Sequence, residues 1–177
     1  YVITIDCRDV IFQTNPIDYL EKNLKTKLLI SAENNLYKDE TWNGENMMES
    51  FDKEILLKKH LNSLVCNAGV IAGHKKEIKD LSLLIYLISM SGNIERCATD
   101  QSSFNIIVHN ELMKNMIQIE TNETNWALQV ASLPNNYQIS IENKMVMKNE
   151  NPFVIVHQYN RSGLLTDFFE DIFLKKI

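Results

Sequence analysis

The first sixteen residues, YVITIDCRDVIFQTNP, constrain the fold more than any other stretch. An apolar run over Tyr1–Ile5 stops at Asp6. Arg8 and Asp9 follow, a second apolar run covers Val10–Phe12, and Asn15-Pro16 makes a turn. Runs that stay apolar without alternating read as strands covered on both faces, the habit of parallel sheets. Tyr1–Ile5 is therefore expected to be a buried parallel strand. Two carboxylates and a guanidinium then stand where that strand leaves the interior, and in open α/β sheets ligands bind at the carboxyl ends of strands. Acids placed there can hold a hard divalent cation, which in turn holds phosphate oxygens. The plainer alternative is a solvated turn with an Asp–Arg ion pair.

Further along, Pro16 suits the first position of a helix, with Asn15 as its N-cap and Asp18 in its first turn. Ile17, Leu20 and Leu24 recur there at helical spacing. Lys27–Ser31 is the next strand, ending at Ala32-Glu33. The polar stretch Asn34–Asn46, with one large aromatic at Trp42, reads as a surface loop of the kind that carries substrate contacts. Met47–His60 reads as one amphipathic helix. Asn62–Gly73 contains a short strand, LVCNAGVIAG, interrupted at Asn67-Ala68-Gly69, where small residues let a ligand or a neighbouring strand come close.

Lys75–Met90 is the clearest helix, with Ile78, Leu81, Leu84, Ile85 and Ile88 on one face and Gly92-Asn93 beyond its end. Thr99 or Asp100 caps a helix over Gln101–Met113. Met116–Glu120 and Trp126–Ala131 are short strands, Tyr137–Met147 a hairpin or edge strand, and Phe153–His157 a buried strand ending in a polar group. Leu164–Phe173 is a closing amphipathic helix. Strands alternating with helices give an α/β fold with a mostly parallel sheet flanked by helices. No repeat or linker divides residues 1–177, so one domain is expected.

Composition narrows the function. A net charge of −5 argues against a nucleic-acid surface, which is normally basic. No apolar run approaches the roughly 18 residues of a transmembrane helix. Cys7, Cys66 and Cys97 are odd in number and have no CxxC spacing, which favours a reducing compartment, the cytoplasm, over a disulfide framework or a zinc site.

Three polar constellations remain as candidate chemistry. Asp9, with Asp6 and Arg8, is the first. His157 is the second; it ends an apolar strand and opens the polar run Gln158-Tyr159-Asn160-Arg161. A histidine beside carboxylates makes a mixed site that suits Mn²⁺ or Mg²⁺. Asp100-Gln101 is the third, either a helix cap or a pair of side chains at a helix start that points into a cleft.

The ordered series ITIDCRDVIFQTNP, NAGVIAG, TDQSSFN and VIVHQYNR resembles the catalytic part of metal-dependent GT-A fold glycosyltransferases, enzymes that use nucleotide-diphospho-sugars. The resemblance runs from Tyr1 to about Arg161. It implies that Asp9 and His157 bind Mn²⁺ (or Mg²⁺), and that Asp6 binds the metal or the donor. It implies that Arg8 and Arg161 meet donor phosphates, that Asn67 and Gly69 lie along the donor sugar, and that Asp100 and Gln101 act near sugar and acceptor. The family's motif is Asp-x-Asp; here Cys7 stands two before Asp9, and the spacing is Asp-x-x-Asp. The family also has about three strands ahead of this motif, so the chain is expected to lack the first strands and to be part of a longer polypeptide.

The implied activity is transfer of a sugar from a nucleotide-diphosphate donor to a hydroxyl of a glycan or lipid-linked acceptor. The alternative is a non-catalytic module of the same descent that binds a sugar nucleotide or a protein. A haloacid-dehalogenase-like phosphohydrolase ranks below both, because its first two acids are two apart and not three.

Overall fold

The computed structural model describes residues 1–52, 54–93, 95 and 98–173; Cys97 lies outside them. In chain order they form β1 (Val2–Ile5), β2 (Val10–Phe12), α1 (Pro16–Asn23), β3 (Leu28–Leu36), α2 (Thr41–Phe51), α3 (Glu54–His60), β4 (Leu64–Gly73), α4 (Lys75–Ser89), α5 (Thr99–Val108), β5 (Ile117–Glu120), β6 (Ala127–Gln129), β7 (Ser140–Glu142), β8 (Met145–Lys148), β9 (Asn151–Pro152), β10 (Ile155–His157) and α6 (Gly163–Phe173).

The fold is α/β, but its sheets are mixed and not mostly parallel. One sheet has the order β1-β4-β3-β5, a second β2-β10-β6, a third β7-β8-β9. In the first sheet β4 runs antiparallel to both β1 and β3, and only β3 and β5 are parallel. In the second, β10 is parallel to β6 and antiparallel to β2. Tyr1–Ile5 is thus no buried parallel strand. It is an antiparallel edge strand, half-buried, with Tyr1 and Ile5 exposed. Unbroken apolar runs report that both faces of a strand are covered, and they say nothing about its direction.

Both faces of the first sheet are indeed covered. Leu28, Ile30, Ala32 and Ile71 face one way, onto Ile78 and Leu81 of α4 and Phe104, Ile107 and Val108 of α5. Leu29, Val70 and Ala72 face the other way, onto Leu20 of α1 and Trp126, Ala127 and Ile155 beside or within the second sheet. Beyond that, Leu128 and Val156 pack on Val146, Leu165 and Phe169 of the hairpin and α6. This period of two distributes one strand between two cores.

Several boundaries differ from the sequence reading. The stretch 34–46 is no loop. β3 runs on to Leu36, and α2 begins at Thr41 because the Glu40 carboxylate accepts from the N–H groups of Trp42 and Asn43. Residues 47–60 are two helices, since Asp52 adopts a left-handed φ of 48° that ends α2. β4 runs continuously from Leu64 to Gly73, but its pairing with β3 is broken by a register shift between Cys66 and Ile71, which takes in Asn67-Ala68-Gly69. Thr99 and Asp100 are the first residues inside α5, not its cap, which is Ala98, and α5 ends at Val108. Leu84 is exposed, off the buried stripe of α4. The Asn15 cap and Pro16 start of α1 stand as expected. So does the hairpin β7–β8, turned by Asn143 and Lys144 at positive φ.

One irregularity positions the site. β1 pairs with β4 only from Ile5–Val70 to Val2–Gly73, and the Asp6 N–H still reaches the Gly69 carbonyl at 3.0 Å. There the chain leaves the first sheet, bends through residues 6–9, and enters the second sheet as β2. Residues 66–68 of β4 lose their strand neighbour on that side. Carboxamides of α5 replace it: Asn105 accepts from the Cys66 N–H and donates to the Cys66 carbonyl, both at 2.8 Å, and Gln101 accepts from the Ala68 N–H at 2.9 Å and donates to the Cys66 carbonyl at 2.8 Å. Asn105→Ala strands the buried Cys66 N–H, while the Cys66 carbonyl keeps Gln101 as donor, and is expected to lower stability by about 2 kcal/mol, read from the urea midpoint.

Candidate functional site

The bend over residues 6–9 carries the acids, and the end of β10 carries His157, in the sheet that the chain enters after the bend. His157 is fully buried. Its Nε2 lies 3.2 Å from Asp6 Oδ2 and 3.7 Å from Asp9 Oδ1, and one donor atom from each of the three residues lies within 4.8 Å of the others. The Asp-x-x-Asp spacing is thereby explained. With the chain changing sheets between them, Asp6 and Asp9 converge on one point, and Cys7 and Arg8 are exposed on the outside of the bend. The backbone of Gln158 locks the arrangement, its N–H donating to the Asp9 carbonyl at 2.7 Å from a left-handed φ of 60°.

Gln129, fully buried on β6, sets the chemistry of the histidine. Its Oε1 lies 2.7 Å from His157 Nδ1, which donates to it. Burial holds the imidazole below its ordinary pKa, against the pull of Asp9 and Asp6 upward. A neutral ring with its proton on Nδ1 turns the Nε2 lone pair toward two carboxylates. Three electron-rich groups facing one another repel unless a cation lies among them. Two adjacent donors of one six-coordinate ion with bonds of about 2.1 Å stand about 3 Å apart; Asp6 Oδ2 is near that distance from Nε2, at 3.2 Å, and Asp9 Oδ1 is wider, at 3.7 Å. An imidazole held by a second residue, with two carboxylates, fits Mn²⁺ well and Mg²⁺ acceptably.

Gly69 lies against this triad. A Cβ built on it would sit 2.4 Å from His157 Cε1 and 2.7 Å from Asp6 Oδ2, so no other residue fits without moving His157 or Asp6. Asn67 holds this stretch, its Oδ1 accepting from the Gly69 N–H at 2.8 Å and its Nδ2 donating to Glu33 Oε1 at 3.2 Å. Of the triad, Asp6 lines a cleft of about 600 Å³, together with Glu33, Asn67, Gly69, Asp100, Gln101, Gln158 and Arg161, while Asp9 and His157 stand outside that lining.

The structure thus brings together Asp6, Asp9 and His157, and sets Asn67, Gly69, Asp100, Gln101 and Arg161 around one cleft. Arg8 stands apart from that lining. The Gln101 side chain bonds the β4 backbone and Asn43, the last at 3.3 Å, which makes it a brace of the cleft wall. Two residues escaped the sequence reading. Gln129 sits inside the apolar run WALQV, and Glu33 inside what proves to be a nine-residue strand. A polar residue within an apolar run is a signal available in the sequence alone. Glu33 is 8% exposed, and its pKa is pushed up to about 7 by burial first and by Glu40 second, with the Asn67 hydrogen bond opposing.

No family model, no curated protein and no solved structure matches this chain.

Proposed function

We propose that this chain is a metal-dependent glycosyltransferase of the GT-A kind, moving a sugar from a nucleotide-diphosphate donor to a hydroxyl of a glycan or lipid-linked acceptor. The observation that carries the reading is the convergence of Asp6, Asp9 and the neutral, Gln129-held His157, with Asp6 reaching the wall of a polar cleft. Asp9 and His157, joined by Asp6, would hold Mn²⁺ or Mg²⁺, and such an ion supplies positive charge to the donor's diphosphate. Gly69 gives the donor sugar a floor without side chain, and Asn67 fixes that floor. Arg161, on the cleft wall, offers a second positive charge to the leaving diphosphate. Asp100, at the start of α5, faces the same space and is the carboxylate placed to meet sugar hydroxyls. No helix among the described residues is long and apolar enough to cross a membrane. We place the protein in the cytoplasm on the spacing of its cysteines.

The test is a thermal-shift titration with UDP and with GDP, each with and without Mn²⁺. A ligand that binds only the native state raises the melting temperature with ln(1 + [L]/Kd). The expected result is a rise that needs both nucleotide and Mn²⁺ and vanishes in Asp9→Ala. A response that survives in Asp9→Ala, or no response to any nucleotide diphosphate, sinks the reading.

A further inference from the structure

Trp42 is a large aromatic side chain that lines a polar cleft and faces solvent. It is 53% exposed, while the other tryptophan, Trp126, is fully buried. The backbone beneath the indole is pinned. Glu40 accepts from the Trp42 N–H at 3.1 Å and from the Asn43 N–H at 2.7 Å, and Asn46 Nδ2 donates to the Trp42 carbonyl at 2.7 Å. The cleft that Trp42 lines is also walled by Asn35, Glu40, Asn43, Asp100 and Gln101.

The Asp9 carbonyl joins the triad to Gln158, and Gln158 and Arg161 both line the cleft. The Gln101 carboxamide links Asn43, next to Trp42, to Ala68, next to Gly69. Among the described residues the lining sets Arg161 beside the carboxylates of Asp6, Glu33, Glu40 and Asp100.

We propose that Trp42 is the platform of a pyranose-binding subsite. The face of a pyranose is a set of weakly positive C–H bonds, which matches the negative face of an indole. Its rim is a set of hydroxyls, which donate to carboxylates and pair with carboxamides such as Asp100 and Asn43. On the proposed transfer reading, this subsite holds the sugar of the acceptor, with Gly69 between it and the metal ligands. Binding of a free sugar ring, however, needs neither metal nor nucleotide.

The experiment is saturation-transfer difference NMR on the whole chain, without Mn²⁺ or nucleotide. The probes are the methyl glycosides of glucose, galactose, mannose and N-acetylglucosamine, with uridine and guanosine alongside. The variants are Trp42→Ala and Trp42→Phe; both alter an exposed side chain, and the buried Trp126 reports by its emission that they are folded. The expected result is transfer to the ring C–H protons of at least one glycoside, with affinity falling about tenfold in Trp42→Ala and largely kept in Trp42→Phe. No transfer to any glycoside overturns the subsite. So does transfer that Trp42→Ala leaves unchanged, or Trp42-dependent transfer to a nucleoside alone. The nucleotide and Mn²⁺ titration reads the triad separately, so sugar binding without a nucleotide response would keep the subsite and discard the transfer reaction.

Discussion

Gly69→Ala is expected to weaken Mn²⁺ binding roughly 10–100-fold while leaving every proposed ligand in the chain. The new methyl would lie 2.4 Å from His157 Cε1 and 2.7 Å from both His157 Nε2 and Asp6 Oδ2. His157 cannot retreat, because it is fully buried and Gln129 holds its far nitrogen at 2.7 Å. Gly69 cannot retreat either, since its carbonyl accepts from the Asp6 N–H and its own N–H is held by Asn67. The methyl therefore wedges Asp6 away from the imidazole. Damage of this sort to ligand support costs roughly 10–100-fold in metal affinity, and overpacking of this kind costs about 1–3 kcal/mol of stability. Calorimetric titration with Mn²⁺ and a melting curve give the two numbers. Wild-type Mn²⁺ affinity in Gly69→Ala would mean that Asp6 and His157 do not share an ion.

Glu33→Gln is expected to stabilise the protein, and to do so only at neutral and alkaline pH. The Glu33 carboxyl has a folded pKa of about 7 against an ordinary value of 4.5, chiefly because burial disfavours its charged form. A raised acid pKa means that the folded state binds the proton more tightly than the unfolded chain. The stability this confers is complete below pH 4.5 and is lost as pH climbs through 7. Above that, the native protein carries a buried charge that glutamine does not. The shift corresponds to roughly 3 kcal/mol, so the two proteins should unfold at similar urea concentrations at pH 4 and diverge by about that much at pH 8. A difference independent of pH would show that Glu33 is charged in the folded protein throughout. A carboxylate kept at such a cost, on the wall of a cleft, is the pattern of a residue retained for use.

The side chains that come together were more legible in the sequence than the fold that brings them together. Asp6 and His157 each end an apolar run, a mark of where a strand leaves the core, and Asp9 could be paired with His157 on paper because it lies three residues beyond Asp6. Helices were legible where the cap is local, as at Asn15-Pro16, because the Asn15 side chain bonds a residue two positions away. Strand direction was not legible. β1 and β4 are antiparallel because of what β1 does after Asp6, a tertiary event with no local signature. The Glu40 cap of α2 was missed because glutamate is an unusual capping residue and its stretch is polar throughout. Gln129 was missed because its meaning lies in a contact 28 residues away.

The bend at residues 6–9 has a consequence for the order in which the molecule can be assembled. Asp6 meets His157 across 151 residues of sequence. Contacts of such separation carry a large loop-closure entropy and form only after the intervening elements have docked. The triad therefore exists only when the second sheet has closed on both β2 and β6, and a chain truncated before β10 keeps both aspartates but has no site. An ion held by Asp6, Asp9 and His157 would then act as a clasp between the beginning of the chain and its last strand, slowing unfolding more than it speeds folding.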